Sequence, residues 1–260
     1  MSPTSRHVAH VMGMPITLAL RGRHADDDAG RAARSEVVAL LQHVDRMFST
    51  YREDSEVSRI NRGNLAIDEA SVEVTEVLAI AEQARRESAG AFDVWLPCPD
   101  DTRQLDPSGV VKGWAVERAA ELLERLDDTD FCLSAGGDMV CRSRTADSAG
   151  WRIGIEDPHD PSRLIAVLPV TNGAVATSGT AHRGAHLVDA RTGRTPTGVA
   201  SVTVVTASLT WADIDATAAY AHGRDAARWL ATRRDRTGLV VWTDGTTSMV
   251  RTPAHGATAA

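Results

Sequence analysis

The 260-residue chain is poor in several features that often reveal what a protein does. It has only three cysteines, Cys98, Cys132 and Cys141, an odd number at spacings that match neither paired zinc ligands nor a redox Cys-x-x-Cys. They read as reduced thiols in a reducing compartment. No run approaches the apolar length needed to cross a bilayer, so no membrane segment is expected. The opening MSPTSRHVAHVMGMPITLAL is interrupted by His10 and Pro15 and lacks a charged start and a small-residue cleavage site. A cytoplasmic protein without an export signal is the expectation. An excess of basic charge is missing too: the net charge is −7, which argues against a nucleic-acid binder, since such proteins need a basic face to displace counterions. Neither G-x-x-x-x-G-K-[ST] nor a strand-to-helix G-x-G-x-x-G occurs, which leaves out the P-loop and the dinucleotide fingerprint. Lysine itself is almost absent. Of 28 Lys and Arg, Lys112 is the single lysine, and an ammonium retained in so arginine-rich a chain marks a candidate for a role that a planar guanidinium cannot fill.

The chain is 43% hydrophobic, enough at this length for a sizeable core without disulfides or a structural metal. Val8 to Leu20 reads as a strand or the start of a hairpin. Apolar residues at helical spacing predict helices over Ala29 to Phe48, Ser71 to Ser88, about Lys112 to Leu126, and Trp211 to Arg228. The polar stretch STYREDSEVSRINRG reads as a loop. Strand-like runs lie at Phe131 to Leu133, Trp151 to Ile155, Leu164 to Val170, Ala174 to Thr177, Val202 to Thr206, Gly238 to Trp242 and Thr247 to Arg251, between turn-forming clusters. This order lacks regular βαβ alternation, so the fold class is α+β. With no linker or repeat, residues 1–252 are expected to form one domain, followed by a disordered tail over 253–260.

Several short constellations could carry chemistry. Leu105-Asp-Pro-Ser-Gly-Val-Val-Lys-Gly-Trp runs from a turn into a helix, placing the amides of Ser108 to Lys112 and the only lysine where an anion such as a phosphate is favoured. A helix start merely capped by Asp106 or Ser108 reads the same. In Trp211-Ala-Asp-Ile-Asp-Ala-Thr217, Asp213 and Thr217 are four apart on one helix face and suit a hard cation such as Mg²⁺, while Asp215 points elsewhere. Acidic residues that only complement a helix dipole are the plainer alternative. His182 and His186 have helical metal spacing, but Gly184 and the preceding Thr-Ser-Gly turn argue against a helix and against zinc. Ser134-Ala-Gly-Gly-Asp138 and Ala89-Gly-Ala-Phe-Asp93 are glycine turns that need no ligand.

Taken in order, these pieces resemble the FAD:protein FMN transferase family, often called ApbE. The resemblance rests on Met12-Gly-Met, Phe48-Ser-Thr-Tyr-Arg-Glu-Asp-Ser-Glu-Val-Ser-Arg-Ile-Asn61, Gly90-Ala-Phe-Asp93, Leu105 to Glu117, Ala135-Gly-Gly-Asp138, Trp151 to Pro158, Ala176-Thr-Ser-Gly179, His186-Leu-Val-Asp-Ala-Arg-Thr-Gly193 and Ala212 to Thr217. It implies one domain with a mixed, mainly antiparallel sheet and about four helices. It further implies a Mg²⁺-dependent enzyme that moves the FMN half of FAD onto a threonine or serine hydroxyl of an acceptor protein and releases AMP.

Carried onto this chain, the resemblance puts Met12, Tyr51, Ala91, Phe92, Asp93, Asp106, Lys112 and the backbone near Leu187 against FAD. It makes a main-chain oxygen at Gly109 and the side chains of Asp213 and Thr217 the metal ligands. Lys112 would then be a point charge on the diphosphate, and His186 the candidate base, with Asp106 or Asp213 as competitors. The chain departs from the family pattern at Pro107, Ser108, Val111 and Met14, and is short between Thr180 and Ala185. A Mg²⁺-dependent FAD diphosphatase and a silent flavin binder are the alternative readings.

Overall fold

The computed structural model describes residues 4–98, 102–179 and 187–253. It opens with a hairpin of β1 (Ser5–Val11) and β2 (Met14–Gly22), turned by Met12 and Gly13 at φ 56° and 70°. Two left-handed residues in succession match the right-handed twist of the flanking strands. Next comes α1 (Asp28–Phe48), capped by Asp27 and buried along Val37, Leu41, Val44 and Phe48. The stretch expected to be a loop instead holds a short helix, α2 (Glu56–Asn61), capped by Ser55. Six residues are too few for apolar periodicity to show. After α3 (Val72–Glu87), two short strands, β3 (Trp95–Pro97) and β4 (Arg103–Leu105), form a ribbon of their own.

Helix α4 (Ser108–Leu123) starts earlier than its apolar spacing predicts, because the carbonyl of Pro107 already accepts from the amides of Val110 and Val111. Lys112 therefore sits in the second turn. The hairpin β5 (Thr129–Ala135) and β6 (Asp138–Arg142) closes through Gly136 and Gly137; sequence reading assigned no strand to β6. A second ribbon, β7 (Trp151–Asp157) and β8 (Asp160–Val170), is followed by β9 (Gly173–Gly179) and β10 (Val199–Thr206). The long helix expected over 211–228 is broken: α5 (Leu209–Ala221) ends in a 3-10 turn at Gly223, φ 57°, before α6 (Ala226–Leu230). The strands β11 (Thr237–Trp242) and β12 (Thr247–Arg251) finish the described chain. The helices thus number six among the described residues rather than about four. The expected disordered tail lies, from residue 254, outside them.

Eight strands form one sheet in the order β1-β2-β5-β6-β9-β10-β11-β12, every pairing antiparallel, so the α+β expectation holds. Side chains alternate between its faces. Leu18, Leu20, Leu133, Val140, Ala174, Ala176, Val202 and Val240 join the helices in the larger core, whereas Ala19, Cys141, Val175, Leu239 and Val241 pack with Trp151, Ile153 and Ile155 of the β7–β8 ribbon. Among the described residues no helix is long and apolar enough to cross a membrane.

Candidate active site

A cavity of about 820 Å³, lined by α4 and α5 from the helix side of the sheet and by the β7 ribbon from its other side, falls within the size range of small-molecule sites. Three parts of the chain build its polar wall. The first is α4. Asn61, at the end of α2, brackets Leu105, its side-chain amide donating to the Leu105 carbonyl at 2.9 Å and its oxygen accepting from the Leu105 amide at 2.8 Å. Asp106 then donates its amide to Val94 and accepts from the Ser108 amide at 3.0 Å, so the turn into α4 is held from both sides. The amides of Ser108, Val110 and Val111 are taken up within the chain, which leaves less of the amide anion site than the sequence predicts. Lys112, one turn further on, reaches the cavity.

The second part is α5, which starts at the Ser208 cap. Glu117 of α4 accepts from the Ser208 hydroxyl at 2.9 Å and from the amide and hydroxyl of Thr210, fixing the two helices against each other. Gly113 lets them touch: a Cβ there would lie 2.9 Å from the Leu209 carbonyl oxygen and 3.2 Å from the Asp213 Cβ. Asp213 and Thr217 both face the cavity, as their spacing predicts. Asp215 points away and is buried against Arg233 and Arg236, at 2.9 and 2.5 Å.

The third part, which sequence reasoning left as a bare turn, is the head of β6. Val140 faces the helices, so Asp138, two residues earlier, does so too. Its Oδ1 accepts from the Thr177 amide at 2.9 Å, and its Oδ2 lies 2.5 Å from the Lys112 ammonium, which is also 3.2 Å from Asp213 Oδ1. One ammonium thus faces two carboxylates, and the only lysine is not a solvated surface group. Asp213 Oδ2 is buried and has no hydrogen-bond partner among the described residues. Burial pushes the Asp213 carboxyl up, to about 7; Asp138 raises it further and Lys112 opposes both. The one ammonium beside it offsets only part of this cost of burial. The Thr217 hydroxyl shares a 2.9 Å hydrogen bond with Ser178, a second residue that local sequence reasoning passed over.

The remaining predicted contacts line the same cavity: Met12, Ala91, Phe92, Asp93, Asp106, Gly109 and Leu187. Tyr51 also lines it, 96% exposed. Asp93 is anchored by the Trp95 amide at 2.9 Å and by Arg103 at 2.7 Å, and Ala91 accepts from the Ala190 amide, drawing the segment after Leu187 to the wall. His186 and His182, with the short stretch Thr180 to Ala185, lie outside the described residues.

A buried carboxylate oxygen with no hydrogen-bond partner among the described residues and a hydroxyl one helical turn away offer oxygen donors, which suit a hard divalent cation such as Mg²⁺; Gly109 lines the same cavity. Among the described residues no group of three or more His, Cys, Asp or Glu could hold a metal, so a softer-metal site has no support there.

Comparison with known proteins finds likeness over most of the chain. A FAD:protein FMN transferase of Haemophilus influenzae is 27% identical, with 84% of this chain and 82% of the relative covered. Another with that name, from Vibrio cholerae, is 26% identical over 75% of each. Among solved structures, the ApbE protein of Thermotoga maritima superposes with a TM-score of 0.82 at 20% identity, over 96% of this chain and 97% of the other. The flavin transferase ApbE of Vibrio cholerae does so with 0.81 at 22%, over 96% and 98%; at these identities the likeness concerns the fold. The sequence model of the ApbE family matches residues 12–98 and 94–241. On that match and that shared fold, the chain belongs to the ApbE family.

Proposed function

We propose that the protein transfers the FMN half of FAD to a threonine or serine hydroxyl of an acceptor protein, with Mg²⁺ required and AMP released. One observation carries the proposal: Lys112 and the Asp213–Thr217 pair, a hundred residues further on, meet on a single wall of a cavity that Met12, Phe92, Asp93 and Asp106 also line. The names of the curated relatives support the direction of transfer.

In this reaction a bond forms between the acceptor oxygen and the FMN-side phosphorus, and the bond from that phosphorus to the bridging oxygen breaks, with AMP as leaving group. Negative charge grows on the diphosphate, so catalysis is chiefly positioning and charge compensation. Asp213, Thr217 and the Gly109 carbonyl would hold Mg²⁺, which when bound supplies a Lewis acid for the phosphate oxygens. Lys112 offers a fixed positive charge beside it. Its two carboxylate neighbours hold its pKa above the ordinary lysine value although burial pulls the other way, so it stays charged and does not act as a base. The acceptor hydroxyl proton goes to a base, for which His186 is the candidate; Leu187, its chain neighbour, lines the cavity. Phe92, Val94 and Val111 give the cavity a buried apolar wall, which would limit the access of water to a substrate bound there.

The test is incubation of the protein with FAD, Mg²⁺ and an acceptor bearing a candidate Thr or Ser. AMP and a flavin-labelled acceptor are expected, and chelation or Asp213→Ala should abolish both. FMN and AMP formed without any acceptor would instead make the protein a FAD diphosphatase, and absence of AMP under all conditions would refute the proposal.

A further inference from the structure

We propose that Asp138 is a positioning residue for the metal site: by holding the Lys112 ammonium to itself, it keeps that cation from neutralising Asp213 and so sets the affinity of Asp213 and Thr217 for a divalent ion. The inference rests on the Mg²⁺ reading above and deepens it. A lysine inside a cation site is a difficulty, because its own charge competes with the metal for the carboxylate. Here the ammonium is shared unequally, 2.5 Å from Asp138 and 3.2 Å from Asp213. Asp138 is itself immobile: it is 1% exposed, its other oxygen accepts from the Thr177 amide, and the Gly136-Gly137 turn fixes it at the head of β6. Two carboxylates against one ammonium leave the wall with a net negative charge; among the described residues neither Asp138 Oδ2 nor Asp213 Oδ2, both buried, has a hydrogen-bond partner, and the ammonium lies 2.5 Å from the former, which leaves the latter to face a cation. Without the charge on Asp138, Lys112 has a single carboxylate to face. The Lys112–Asp213 pair then closes on itself, and the free oxygen loses its pull on a cation.

Titration calorimetry with Mg²⁺ alone tests this on the parent, Asp138→Asn, Lys112→Met and the double variant. Asparagine keeps an oxygen for the Thr177 amide. Asp138→Asn should weaken Mg²⁺ binding about 10–100-fold, the range for partners that orient a metal ligand. In the Lys112→Met background the same substitution should change it less than about threefold, since the residue through which it acts is gone. Equal losses in the two backgrounds, or no loss in the parent, would overturn the inference.

A second measurement stands even if the Lys112→Met proteins do not fold. Lys112 is the only lysine, so protein labelled with ¹⁵N at lysine Nζ gives one side-chain ammonium resonance. Asp138→Asn should shift it, and an unmoved resonance beside weakened binding removes the inference alone. A parent that takes up no Mg²⁺ at millimolar concentration removes the metal reading and the inference with it.

Discussion

The contact between α4 and α5 at Gly113 makes a quantitative prediction. In Gly113→Ala the added Cβ would lie 2.9 Å from the Leu209 carbonyl oxygen, 3.0 Å from the Thr210 Cα and 3.2 Å from the Asp213 Cβ. Carbon needs about 3.5 Å or more for unstrained contact, so the helices must part by roughly half an ångström. No rotamer change relieves this, because the first two atoms are backbone and the start of α5 is tied to Glu117. Overpacking of this kind costs about 1–3 kcal/mol, against a gain of up to about 1 kcal/mol from replacing glycine inside a helix. A net loss of about 1–2 kcal/mol lowers Tm by about 2–8 °C for a chain of this size. The shift also moves Asp213 relative to Lys112, so Mg²⁺ affinity should fall further than stability does. Scanning calorimetry and Mg²⁺ titration read the two effects separately. A variant with raised Tm and undiminished Mg²⁺ uptake would refute the argument that this close approach positions the site.

Gly109→Ala should behave differently. Its Cβ would meet only the ring edge of Phe92, at 3.0 and 3.2 Å, which can turn aside into the cavity, so FAD affinity should drop in a fluorescence titration while Tm changes by less than in Gly113→Ala. Asp215→Asn should cost about 3 kcal/mol in urea denaturation, the low end for breaking a buried ion pair, since Arg233 and Arg236 keep some solvent contact. Its Mg²⁺ affinity should match the parent, and a loss there would place Asp215 in the site after all. Cys132 and Cys141 are cross-strand partners with sulfurs 3.5 Å apart. Mild oxidation with diamide should therefore consume these two of the three thiols in one intrachain disulfide, and Cys132→Ser should block it; a mass shift showing intermolecular dimers instead would contradict the pairing.

What the sequence makes legible follows from the range of the forces involved. The face of α1 and the strand β12 can be read directly, because periodic burial is a local pattern. The pairing of Asp213 with Thr217 is equally local, since four residues on a helix return to the same side. Lys112 stood out by composition alone. Asp138 did not, because a Gly-Gly-Asp turn looks the same wherever it falls, and its meaning depends on register. Only once β6 is placed in the middle of the sheet, with Val140 toward the helices, does the carboxylate point at Lys112. Ser178 is hidden for the same reason, its role decided by which side of β9 meets α5. The helix α2 is too short to announce itself, yet its Asn61 anchors the turn on which the position of α4 depends.

These cases share one physical cause. The residues proposed to hold the ligands lie on regular elements whose local patterns are strong, whereas the groups that hold them in place act across the sheet or between helices. Charge shows the division most clearly. Asp213 alone is a buried carboxylate with an oxygen left bare, an arrangement that costs free energy unless a cation comes. Asp138 and Lys112 decide how much of that cost is met from within the chain and how much remains to attract a metal. Stability and binding are therefore opposed at this wall. Substitutions that let Lys112 satisfy Asp213 fully should make the metal-free protein more stable and the metal site weaker, and Tm measured with and without Mg²⁺ should move in opposite directions across such a series.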